Sequence, residues 1–192
     1  MPRIHAATVA EHRARQRAAL IRAAVDILVE QGAVAVTPAA VGARAGLARS
    51  SVYQYFPSSQ ALIASIVEDG FPRANQAIAA ALAGAHTPTE RIDVYIRQTL
   101  RLAAEGAHRP AAALARADLP PSCRARLVEL HAEQAVPLVE AVLDLGASSP
   151  ELTAKLIGGM LRAAMAAIER GEAPGTVTRR TLDLVHGGLN AS

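Results

Sequence analysis

Arg49, Ser50, Ser51, Tyr53 and Gln54 fall within six consecutive residues, and each side chain carries a hydrogen-bond donor. Arginine pairs in bidentate fashion with guanine and glutamine with adenine, while serine and tyrosine hydroxyls position backbone phosphates. The donors sit in GLARSSVYQYFPSS, which also holds Tyr53, Tyr55 and Phe56. These are three of only five aromatic residues in a chain of 192 with no Trp. Two tyrosines two positions apart on a helix cannot both face one core. At least one of them serves something other than packing.

The charge follows the same segment. Residues 1–57 hold seven Arg against three acids, whereas residues 58–192 hold thirteen bases against fourteen acids. A positive first third suits a polyanionic partner; a solvated basic helix end explains it equally well. One cysteine, Cys123, excludes an internal disulfide framework and a cysteine-based metal cluster. Cys123 suits a small, partly buried role, with redox sensing favoured only if Arg124 and Arg126 lower its pKa. The longest charge-free stretch, Ser50 to Val67, contains Ser, Gln and Pro and is no membrane span. The N-terminus lacks the apolar core of a signal peptide. A cytoplasmic protein without membrane contact is expected.

The elements that must carry the donors read as helices throughout, with period 3.6 and no useful β-alternation. The first runs from Val9 or Arg13 to Gln31, with Gly32 as its stop. Thr37 caps a second, with Pro38 at its first position, ending near Ala45. The third spans about Arg49 to Phe56 and is stopped by Pro57. Further helices are expected near Ser58–Ala83, Pro88–Ala107, Ala111–Ala117, Pro121–Leu145, Pro150–Arg170 and Val177–Leu189. The chain is therefore all-α, with about nine helices.

Residues 37–56 have the pattern of a helix-turn-helix. Gly42 lies inside the second helix, where glycine costs about 1 kcal/mol relative to alanine; another backbone must pass close by. Gly46 supplies the positive φ of the turn. Val52 and Tyr55 face the second helix at Val41 and Ala45, which leaves Arg49, Ser50, Ser51, Tyr53 and Gln54 outward. A third helix of eight residues would be roughly 12 Å long, about the width of the major groove.

The run AGLARSSVYQYFPSSQAL, preceded by TPAAVGARA and by QRAALIRAAVDILVEQG, resembles the N-terminal domain of the tetracycline-repressor (TetR) family over residues 13–66. The resemblance implies that Tyr53 lies toward the DNA backbone, that Tyr55 supports the helix and the domain junction, and that Phe56 packs beneath. It places Thr37, at a helix N-terminus, and Ser51 on phosphates. Two positions depart from the pattern: Ser59 stands where the family often has Lys, and Ala48 where a Ser or Thr usually caps the recognition helix. Arg49 with Arg13, Arg15 and Arg17 is expected to compensate. The family also implies that a tilt of the fourth helix links ligand sensing to DNA release.

Catalytic signatures are missing. His131 and Glu133 form an H-x-E triplet, but the P-C-x-x-C of zinc deaminases is absent. No catalytic residue, metal or cofactor is expected. On the seventh helix Leu127, His131, Gln134 and Leu138 share a stripe, faced by Tyr95, Thr99 and Leu102 of the fifth. Either the polar members bond within the fold, or the stripe walls a pocket for a small, mostly apolar effector. Pro137 should kink the seventh helix there. The last two helices, through Gly158, Gly159, Ala163, Ala167, Leu182 and Val185, are expected to form a homodimer interface.

These readings combine into a DNA-binding domain at 9–57 and a helical ligand-sensing and dimerisation domain at 58–192. The function implied is a ligand-responsive repressor on a pseudo-palindromic double-stranded operator. The alternative is a helical binding or enzyme module with a basic first helix and no specific DNA site.

Overall fold

A computed structural model describes the backbone of residues 3–189 and the side chains of residues 8–189. Among these residues every regular element is helical. The chain order is α1 (Arg3–Gln31), a 3-10 turn (Ala33–Ala35), α2 (Pro38–Ala45), α3 (Arg49–Tyr53), α4 (Ser59–Leu82), α5 (Pro88–Ala104), α6 (Arg109–Ala115), α7 (Pro121–Asp144), α8 (Pro150–Glu169) and α9 (Pro174–Leu189). No helix among the described residues is long and apolar enough to cross a membrane. The chain forms two compact units, Met1–Gly70 with Pro110–Arg126, and Phe71–Arg109 with Leu127–Ser192.

In the first unit, α1 buries Leu20, Ala24, Ile27 and Leu28, and α4 buries Leu62, Ile63, Ile66 and Val67. Each Leu, Ile or Val among them contributes roughly 1.5–3 kcal/mol when fully buried. The start of α2 follows from its cap: Thr37 is extended, and its Oγ1 accepts from the Ala40 N–H at 3.2 Å. Pro38 needs no donor at the first helical position. Gly46 ends α2 at φ 70°, and the Leu47 N–H donates to the Gly42 carbonyl at 2.8 Å. The close approach expected at Gly42 is present: a Cβ there would lie 2.8 Å from the Leu47 carbonyl oxygen and 3.0 Å from Val52 Cγ2.

α3 is shorter than expected. It covers Arg49–Tyr53, and Gln54 and Tyr55 continue as a turn. Pro57 disfavours helical φ/ψ at the residue before it, so the chain opens ahead of Phe56. Amides of Tyr55 and Phe56 still donate to the Val52 carbonyl, each at 2.9 Å.

The second unit centres on α5. Thr87 and Glu90 form a reciprocal capping box at its start. Ile92, Ile96 and Leu100 of α5 join Leu138 and Val142 of α7, Ile157 and Leu161 of α8, and Leu182 and Val185 of α9 in one core. α7 runs through Pro137 as one helix from Pro121 to Asp144.

Candidate nucleic-acid interface

The candidate reading surface is built on one buried residue. Val52 is fully buried beneath α3 and Phe56 lies beside it in the core. Anchoring at Val52 turns Arg49, Ser50, Tyr53 and Gln54 to solvent, with Ser51 half-buried at the margin. Ala48 is exposed and makes no side-chain cap bond, so the first amides of α3 have no side-chain acceptor from it. Thr37 is half-buried with its hydroxyl engaged as the α2 cap. Ser59 is half-buried. The α4 cap is its neighbour Ser58, whose Oγ accepts from the Ala61 N–H at 3.1 Å.

The aromatic cluster separates into three environments. Tyr53 is exposed; Arg49 Nη2 donates to its hydroxyl at 2.9 Å, and the guanidinium carbon lies 5.5 Å from the ring centre. Tyr55 is half-buried, donates its hydroxyl proton to Gln16 Oε1 of α1, and carries Arg13 over its ring at 5.6 Å. Phe56 is buried, with the Arg17 guanidinium 5.6 Å from its centre. Arg17 also approaches Asp69 at 3.7 Å.

Arg13, Gln16 and Arg17, at i, i+3 and i+4, thus present one face of α1 to the end of the α3 turn. Two of the three arginines expected to anchor phosphates are engaged on aromatic rings, while Arg15 points to solvent. Gln16 was not among the expected residues, because its partner Tyr55 lies 39 positions away. Elsewhere on this unit Arg44 grips Glu30 through bonds of 2.7 and 3.1 Å, and this pairing holds the Glu30 carboxyl below the ordinary range.

The effector residues expected from the sequence lie in the second unit. Tyr95 is buried, which pushes its phenol up to about 12, and its hydroxyl donates to the Gln134 carbonyl at 3.1 Å. Leu127 and Leu138 are buried, while Leu102 and Gln134 are half-buried. His131 is exposed rather than inward-facing, and its ring packs edge-on against Phe71, with centroids 4.8 Å apart. Its Nδ1 lies 2.7 Å from the Leu127 carbonyl, which can only accept, so this nitrogen carries the proton. Thr99 Oγ1 is buried without a hydrogen-bond partner among the described residues, as is Asn75 Oδ1 of α4. Asn75 was not expected, although it is the polar member of the Phe71, Asn75, Ile78 and Leu82 stripe.

The expected dimer residues divide. Gly158, Gly159 and Ala167 are half-buried and Ala163 is exposed, all on α8. A Cβ on either glycine would meet only the Arg162 guanidinium, at 3.7 Å. Leu182 and Val185 are 5% and 2% exposed and belong to the core of their own subunit, so they form no outer surface. They face inward because α9 lays its apolar stripe against α5 and α8. Outside, α8 exposes Leu152 and Leu156, and α9 exposes Leu184.

Three comparisons bear on this geometry. The sequence profile of bacterial regulatory proteins of the tetR family matches residues 20–66, the segment from mid-α1 into α4. The HTH-type transcriptional regulator BetI of Rhizobium meliloti (strain 1021) is 30% identical over 86 residues, 45% of this chain and 42% of that protein. The match therefore spans less than half of that relative. Among solved structures, the transcriptional regulator FadR from Bacillus subtilis in complex with stearoyl-CoA superposes with a TM-score of 0.74 at 18% identity, covering 87% of this chain and 96% of that one. A regulator from Saccharomonospora viridis in complex with choline gives a TM-score of 0.78 at 13% identity, covering 90% and 96%. At such identities these two show the shared fold. The profile match falls on the helix-turn-helix and its outward donors, so residues 20–66 are similar to the DNA-binding segment of the tetR family of bacterial regulatory proteins.

Proposed function

We propose that this chain is a ligand-responsive transcriptional repressor that reads a pseudo-palindromic operator as a homodimer. The observation that carries the reading is the outer face of α3, where Arg49, Ser50, Tyr53 and Gln54 are exposed together above buried Val52. In this reading residues 9–57 form the reader and residues 58–192 the sensing and dimerisation part. A two-fold pair of readers demands an inverted repeat. The dimer surface is the outer face of α8 and α9: Leu152, Leu156, Gly159, Ala163 and Leu184. The expected contributions of Leu182 and Val185 pass to these neighbours.

Support for an effector comes from Thr99 Oγ1 and Asn75 Oδ1, buried polar atoms without hydrogen-bond partners among the described residues. Such atoms cost stability unless something bonds them. The two ligand-bearing relatives hold stearoyl-CoA and choline, so the fold alone does not set the ligand. For this chain a small, mostly apolar molecule fits the faces around Tyr95, Thr99 and Leu102. It acts only if it prefers one arrangement of the dimer over another.

The test is selection from a random duplex pool by the purified chain. An enriched inverted repeat, with binding weakened in Arg49→Ala, is the expected result. No enrichment, or unchanged affinity in both Arg49→Ala and Tyr53→Phe, would return the chain to a helical module without a specific DNA site.

A further inference from the structure

Arg49 and Tyr53 are the first and last residues of α3, one helical turn apart. Arg49 does not extend from the helix start. Its Nη2 donates to the Tyr53 hydroxyl at 2.9 Å, and its guanidinium carbon stands 5.5 Å from the Tyr53 ring centre. Three physical reasons favour this arrangement. A cation at a helix N-terminus opposes the helix dipole, and folding back moves it toward the favourable end. Side chains four apart on a helix are neighbours. The face of a tyrosine ring attracts a guanidinium within about 6 Å.

The bond also has a direction. The Tyr53 oxygen is the acceptor, so its own proton is left over for another acceptor. Arg49 spends one of five N–H groups, and enough remain for a two-pronged contact with a guanine edge.

We infer that Tyr53 is the positioning residue of Arg49: its ring and hydroxyl hold the guanidinium at the angle from which it reads a base, while its own proton is offered to a phosphate. The role rests on the DNA-reading function proposed above. Its consequence is that deleting one tyrosine oxygen alters which base is preferred, and not only how tightly DNA is held. A tyrosine that merely touches a phosphate gives a different result, an even loss across all sequences.

The experiment selects operators with the full-length chain, then measures binding of single-base variants by the parent, Arg49→Ala, Tyr53→Phe and the double variant. Neither substitution touches buried Val52 or Phe56, and thermal unfolding confirms that each variant is folded. Arg49→Ala should lose roughly 5- to 150-fold of discrimination at one base pair. Tyr53→Phe should lose part of the discrimination at that same base pair, and the double variant should discriminate no worse there than Arg49→Ala. Side-chain NMR of the free protein should show Arg49 N–H exchange speeding up in Tyr53→Phe. If Tyr53→Phe weakens all sequences evenly and keeps the base preference, or if the two losses simply multiply, the positioning role is overturned. A parent that selects no duplex refutes the DNA reading itself and this role with it.

Discussion

Gly42 is where a single added carbon would decide the geometry of the reader. An alanine there gains about 1 kcal/mol of helix propensity. Against this, its Cβ would stand 2.8 Å from the Leu47 carbonyl oxygen, a backbone atom in the turn that cannot swing aside. Overpacking of this kind costs about 1–3 kcal/mol, so the clash wins. Gly42→Ala should lower the melting temperature by a few degrees and weaken duplex binding; a variant as stable as the parent would contradict the close approach. His108 offers a second test. Burial pushes its imidazole below the ordinary 6.5, with Glu169 opposing and His131 adding to the shift. The unfolded chain therefore binds a proton before the folded chain does. The stability contributed by neutral His108 is full above about pH 6.5 and falls as pH drops from there toward the folded value. His108→Gln should narrow the gap between melting temperatures at pH 7.5 and pH 5.5; an unchanged gap would rule this contribution out.

At the scale of elements the caps matter most. The α5 capping box satisfies the Glu90 amide with Thr87 Oγ1 at 3.2 Å and the Thr87 amide with Glu90 Oε2 at 3.0 Å. Thr87→Ala should cost about 0.5–2 kcal/mol in denaturant unfolding. α3 lacks such a cap, and Ala48→Ser should stabilise the chain by about 0.5–1 kcal/mol if the new hydroxyl reaches an α3 amide. Loss of stability in that variant would show that Ala48 is required for another reason. These caps explain why most of the fold was readable from the sequence: Thr37–Pro38, Gly46 and Thr87–Pro88 act locally, within four residues. What was not readable depends on distant partners. Gln16 and Tyr55 are 39 positions apart, and nothing local announces their bond. The apolar stripe of α9 was visible, but its direction was not, because only the presence of α5 and α8 decides that Leu182 and Val185 point inward. The outward donors of α3 were readable since one buried residue, Val52, sets the phase of the whole turn.

At the scale of the whole molecule the open surface of α8 and α9 is the proposed dimer face. Leu156 and Leu184 are 61% and 66% exposed, large apolar side chains beside small residues. A charge placed there is harmless on a monomer and costly once buried against a second copy. Leu156→Asp and Leu184→Asp should therefore sediment as folded monomers at micromolar concentration and lose inverted-repeat binding. A parent that already sediments as a monomer would end the homodimer proposal. The absence of tryptophan has a practical consequence. With no indole to drain their excitation, Tyr53, Tyr55 and Tyr95 are the chain's only strong near-ultraviolet emitters. Two sit at the reader and one in the core of the second unit. The molecule is thus labelled by its own composition: with Tyr95→Phe the light comes from the proposed DNA-facing end alone, and with Tyr53→Phe and Tyr55→Phe combined it comes from beside the proposed effector site, so each event can be watched separately without attaching a dye.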